Sequence, residues 1–285
     1  MSGRRRSGFS LVELVVAVII AGVIAAALHG VLLVGQRFYR AQPQILDVQR
    51  NVRSITQVLP AELRGLDAGD GDIVAMSDTA LTLKTTRALG ILCAAPETSA
   101  GRVTVGDDLL FGYRAIDPAR DSVLLFREGD TLLESDDRWL RAQVTAVGSA
   151  RCPDGSAGTR LTLALAGGGT ELLGVTSGAP LFAFEVIRYR LYEDGARTWW
   201  LGLQSYSGGW SATSPLAGPL RPRDGLRFDY VDAAGAAAGT RTAVRQVLLT
   251  VRGRSLQRIE AAGRRSGPYQ DSLSARVFLR NSVRR

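Results

Sequence analysis

Apolar residues fill positions 9–34 with little interruption, and beyond residue 66 they alternate with polar ones. Between these regimes the apolar positions recur every three or four residues. The run from Phe9 to Val34 is 26 residues long. As a helix it spans about 39 Å, enough to cross a hydrocarbon core of about 30 Å. Ile45, Val48, Val52, Ile55 and Leu59 then form one stripe, with Arg50, Asn51, Arg53 and Gln57 opposite, which predicts an amphipathic continuation of the same helix packed on the chain's own sheet. Pro43 should kink it, Pro60 can begin a final turn, and Gly65 is a plausible stop. From Asp67 the period is two. Strands are expected at Ala80–Thr85, Arg141–Val147, Arg160–Leu165, Phe182–Tyr192, Leu226–Val231, Val244–Val251 and Ser272–Leu279. Asp194-Gly195 signals a hairpin whose return strand begins at Trp199. The fold class is therefore α+β: a long N-terminal helix on a β-rich, mainly antiparallel domain built from one sheet or two.

Charge sharpens the reading of the apolar run. Its only formal charge is Glu13, and Arg4, Arg5 and Arg6 stand just before it. A carboxylate at bilayer depth costs on the order of 2–3 kcal/mol and ordinarily has a partner. The Arg triplet holds the N-terminus in the cytoplasm, which directs the rest of the chain outside it. A cleaved secretory signal fits poorly, because its apolar region would be about 7–15 residues and its cleavage site would follow that region. The expected organisation is residues 1–8 as a leader, 9–35 as a membrane helix, 36–66 as its extension and 67–285 as the β-domain. Net charge is +8, and loss of the three leader arginines lowers it to +5.

Gly8-Phe9-Ser10-Leu11-Val12-Glu13-Leu14, with its basic leader and long apolar helix, resembles the leader junction of type IV pilins and type II secretion pseudopilins. The resemblance implies that prepilin peptidase cuts between Gly8 and Phe9 and N-methylates Phe9. It also implies that Glu13 pairs with the N-terminal amine of a neighbouring subunit, so that burial of the carboxylate is offset only when a subunit docks in register. Many major pilins carry a proline partway along this helix. This chain has Gly30 there, with Gly22 before it, and is long for a major subunit. Both departures favour a minor component. The Tyr-rich hairpin from Val186, the Gly225-Leu-Arg-Phe-Asp-Tyr strand, the Val244–Val251 strand and the closing Arg276–Asn281 resemble pseudopilin J and PilW-like minor pilins. The implied partners are prepilin peptidase, other pilin or pseudopilin subunits and an inner-membrane assembly platform. The implied location is the inner membrane, crossed once, with the β-domain extracytoplasmic.

The remaining chemistry is sparse. The single histidine, His29, lies in the membrane run, which removes His-based triads and His metal sites from the β-domain. No phosphate-binding loop, nucleophile elbow or C-x-x-C is present. Asp67, Asp70 and Asp72, and Glu134, Asp136 and Asp137, lack the spacing of a calcium loop and read as solvated loops. No cofactor, no metal and no enzymatic activity are expected. Cys93 and Cys152 either form one disulfide, as two cysteines in an extracytoplasmic domain most simply do, or remain core thiols. The last quarter is basic, with Arg221, Arg223, Arg227, Arg241, Arg245, Arg252, Arg254, Arg258, Arg264 and Arg265 near Tyr206, Trp210, Tyr230 and Tyr269. These either bind single-stranded DNA or form the solvent face of a sheet. Three classes thus stand: a minor pilin or pseudopilin subunit, an anchored binding module for DNA or another ligand, and an anchored enzyme with carboxylate chemistry.

Overall fold

A single helix, α1 (Leu11–Arg64), runs into a sheet whose strands pair antiparallel throughout; the computed structural model describes residues 11–129, 136–259 and 267–279. At 1.5 Å per residue, the 54 residues of α1 extend about 80 Å. The helix continues through Pro43 and Pro60. Ala41 and Val48, on either side of Pro43, are both buried, so tertiary contacts hold the helix across the missing backbone bond. Beyond Arg64 the chain turns at once, with Gly65 and Leu66 donating to the Glu62 and Leu63 carbonyls.

The strands are β1 (Ile73–Met76), β2 (Ala80–Ile91), β3 (Arg102–Gly106), β4 (Phe111–Gly112), β5 (Asp121–Arg127), β6 (Arg138–Arg151), β7 (Ala157–Ala164), β8 (Pro180–Glu193), β9 (Trp199–Ser205), β10 (Ser214–Leu220), β11 (Leu226–Val231), β12 (Gln246–Ile259) and β13 (Gly267–Phe278). All belong to one hydrogen-bonded network, yet they enclose two separate cores. The strand that permits this is β8. Along one edge it pairs with β2 from Pro180 to Arg190. Along the other, Leu181–Glu185 pair with β5 and Ile187–Glu193 pair with β9. One strand therefore serves two lobes, and a single sheet takes the place of two.

The second core is ringed by β8, β5, β6, β7 and β3. The circuit returns to β2 where Leu92 pairs with Val105 and the Cys93 N–H donates to the Thr104 carbonyl. Gly90 marks this closure: a Cβ there would stand 2.6 Å from Val105 Cγ1. Cys93 and Cys152 form a disulfide beside it. In the chain-entropy picture, a bridge 59 residues apart stabilises by about 4 kcal/mol.

The first core lies under α1. Val48, Val52, Ile55, Leu59, Leu63 and Leu66 are buried against β8–β13 residues such as Ile187, Leu201, Phe228 and Leu249. The helix crosses β10, β12 and β13. Asn51 Nδ2 donates to the Gly218 carbonyl, and Gln49 Nε2 donates to the Tyr269 hydroxyl at 3.1 Å. The closest approach is at Gly253 of β12, where an added Cβ would lie 2.6 Å from Val52 Cγ2 and 2.7 Å from Val48 Cγ1. No room exists there for a side chain. Gly253→Ala is expected to push α1 off the sheet and lower stability by about 1–3 kcal/mol, read from the urea midpoint of the full chain in detergent; an unchanged midpoint would show that the helix can shift without loss.

Candidate functional site in the N-terminal helix

Gly8 and Phe9, the expected cleavage and methylation positions, lie outside the described residues, as do Glu134, Arg264, Arg265 and Asn281. Glu13 is in the first turn of α1 and is exposed. From Leu11 to Leu33 the mean hydropathy is 2.8 and none of the segment is buried. Leu11 is 79% exposed and Val31 70%. The same helix is thus divided. Its distal half is covered by the sheet, and its first 23 described residues present an apolar surface that nothing in the described chain covers. Such a surface requires lipid or other protein.

Several of the remaining candidates make scaffold contacts. Asp67 Oδ1 accepts from the Gly69 and Asp70 N–H groups, and Asp72 Oδ2 accepts from the Asp67 N–H. Lys84 Nζ lies 3.8 Å from Asp72. Burial pushes the Asp72 carboxyl up and the Lys84 ammonium down. This is a pinned turn after α1. Among the described residues no group of three His, Cys, Asp or Glu could hold a metal ion. In the basic last quarter, Arg221 and Arg252 both pair with Asp224, and Arg227 pairs with Asp229. Arg241 Nη1 donates to the Val74 carbonyl. Tyr230 donates to the Ser77 carbonyl at 2.9 Å. The expected Asp194-Gly195 turn is longer than two residues: the Asp194 N–H bonds the Thr198 carbonyl, and the left-handed residue is Arg197, at φ 59°.

A partly buried charge network, with Asp121 and Glu185 at its buried centre, joins the two lobes and was not singled out from sequence. Arg87 of β2 lies between Glu185 of β8, at 2.5 Å, and Glu62 near the end of α1, at 3.4 Å. Arg114 grips the fully buried Asp121 through two bonds of 2.6 and 2.7 Å. Its Nη2 also pairs with Glu185 Oε2 at 3.2 Å, without an aligned hydrogen bond. The Tyr189 hydroxyl donates to Glu62 at 2.6 Å. The Asp121 bonds push the Arg114 guanidinium up. Burial, and then the Glu62 charge, push the Tyr189 phenol strongly up. The one signal was in β8: its inward positions 181, 183, 187, 189 and 191 are buried apolar or aromatic residues, and position 185 is Glu.

The family model of the prokaryotic N-terminal methylation motif matches residues 3–28. That motif marks a type IV pilin-like precursor, processed by prepilin peptidase and assembled with other pilin subunits. The apolar helix it enters is consistent with a single membrane anchor. No curated protein and no solved structure matches the chain, so the β-domain is defined by its own geometry.

Arg114→Ala would leave the buried Asp121 with no cation and only the Asp117 N–H as a partner, and is expected to cost about 3 kcal/mol in urea melts. Adding Asp121→Asn should recover part of that loss. A second expectation concerns alkali. Burial holds both the Tyr189 and Tyr230 phenols above the ordinary value of 10.0, so the folded chain keeps protons that the unfolded chain releases. The associated stability is full below about pH 10 and is lost as pH rises towards the folded values. The urea midpoint should therefore fall above about pH 10, less steeply in Tyr189→Phe.

Proposed function

We propose that this chain is a minor pilin or pseudopilin, a structural subunit of a type IV pilus or a type II secretion pseudopilus. One observation carries the reading: the methylation motif at residues 3–28 enters a helix whose Leu11–Leu33 segment has no cover from its own domain. In the membrane, lipid covers that surface. In a filament, the equivalent helices of neighbouring subunits cover it, and Glu13 meets the amine of a neighbour's processed N-terminus. A carboxylate whose desolvation is offset only by that contact sets register. The arginines before the span favour a cytoplasmic N-terminus. A disulfide between Cys93 and Cys152 suits an oxidising compartment for the β-domain. The role is architectural, with no catalytic step by this chain: the helix packs in the filament and the β-domain faces partners.

Glu13→Ala is the decisive variant. Cleavage between Gly8 and Phe9 should proceed, giving the mature mass, while recovery of the chain with sheared or crosslinked filaments should drop at least tenfold relative to the native chain. Equal incorporation of the variant would defeat the filament reading and leave the helix as a plain anchor for a binding domain.

A further inference from the structure

We propose that the outer face of β8 carries an oxyanion-binding site, in which Arg188 and Arg190 grip a phosphate or carboxylate group beside the hydroxyls of Thr79 and Thr82. These residues line a cavity of about 350 Å3 where β1, the turn into β2, and β8 meet. The volume suits an oxyanion together with part of the molecule that bears it. Every charged residue lining it is an arginine.

The domain's guanidiniums are of two kinds, those that meet a carboxylate and those that do not. Arg87, Arg114, Arg221, Arg227 and Arg252 each meet a carboxylate. Among the described residues no carboxylate pairs with Arg188 or Arg190. Two positions apart on one strand, they share a face, with Cα atoms about 7 Å apart. Arg188 is also held in place. Its Nε donates to Thr82 Oγ1 at 3.1 Å, and its guanidinium lies 3.8 Å from the centre of the Trp210 ring. Those contacts use one N–H and one face of the plane and leave the terminal nitrogens for a ligand. Thr82 Oγ1 accepts from Arg188, so its own proton is free to donate. Burial, and then the neighbouring Arg190 charge, push the Arg188 guanidinium down. An anion between the two would relieve that repulsion, and the planar fork of arginine matches both carboxylate and phosphate oxygens. The polar lining gives little apolar grip, so the anionic group itself is what the site recognises.

The test uses the full chain in a non-ionic detergent at fixed ionic strength. Inorganic phosphate and N-acetyl-glutamate are titrated separately by calorimetry, with sodium chloride as the blank. One saturable site is expected, weakened about tenfold or more by Arg190→Gln and unchanged by Arg276→Gln, which removes an exposed arginine on β13. Arg190 donates no hydrogen bond within the described residues, so the melting temperature of Arg190→Gln without anion should match the native chain. Should it fall, Arg190→Lys keeps the charge without the fork and is expected to bind more weakly than the native chain. Saturation by phosphate alone identifies a phosphate-bearing ligand, and by N-acetyl-glutamate alone a carboxylate-bearing one. Absence of saturable binding by both, or equal affinity in the native chain and every Arg190 variant, overturns the proposal.

Discussion

The contact between α1 and Gly253 fixes how the molecule is put together. With no side chain at that point, Val48 and Val52 sit directly on β12. The apolar stripe from Val48 to Leu66 can then reach the floor formed by β8 to β13. The direction of the helix is set by this seat, and so is the direction in which the uncovered Leu11–Leu33 segment leaves the domain. The helix is continuous from the buried distal half into a proximal half that has no partner in the described chain. Burying a leucine or valine side chain stabilises by about 1.5–3 kcal/mol. The six buried stripe residues therefore give a seat strong enough to hold a long lever.

Between the seat of the helix and the second core lies the charge network. Glu62 is near the end of α1, Arg87 is on β2, Glu185 and Tyr189 are on β8, and Asp121 opens β5. These groups stand where one core gives way to the other. Apolar packing tolerates sliding, because dispersion is non-directional. Fixed hydrogen-bonded ion pairs tolerate it less, and breaking one leaves a buried charge. The network thus makes the join between lobes angle-specific where packing alone would leave it adjustable. The disulfide does a different task in the second lobe: it locks the place where the strand circuit closes around its own core.

The parts of this arrangement most legible in sequence were those with a long repeating signal. The 26-residue apolar run, the three-to-four stripe and the alternating runs at β2, β6, β7, β8, β11, β12 and β13 each repeat a local rule several times. The elements not singled out, β1, β3, β4, β5 and β10, are short or lack clean alternation. β10 carries two prolines and a glycine, which read as turn chemistry, yet it lies within the sheet. Topology was illegible for another reason. Nothing local in Phe182–Tyr192 says that the strand changes partner midway, although the inward Glu185 at the change is a trace of it. The helix's continuity through Pro43 follows from contacts on both sides of it, which no propensity records. In the candidate site, the Gly8–Glu13 pattern is dense because a separate enzyme must read it as linear sequence. The Arg188–Arg190 pair has no such linear signature, since its meaning depends on the residues that surround it in space.

That distinction bears on how basic composition is read. A net charge of +5 after loss of the leader's arginines, and a run of arginines in the last quarter, suggest a broad cationic surface. In the folded chain, Asp224 meets both Arg221 and Arg252, and Asp229 meets Arg227, so three of the ten arginines in that run have an acid within a few ångströms. A paired guanidinium has little remaining field beyond the screening distance of about 8–10 Å in physiological salt. Attraction for a long polyanion, which needs many unpaired cations in a row, is weakened at those three positions. The charge that counts for recognition is local: two arginines on β8 with hydroxyls around them and no acid lining their cavity. Selectivity there would come from the fit of one oxyanion to one fork, and the total charge of the chain has little part in it.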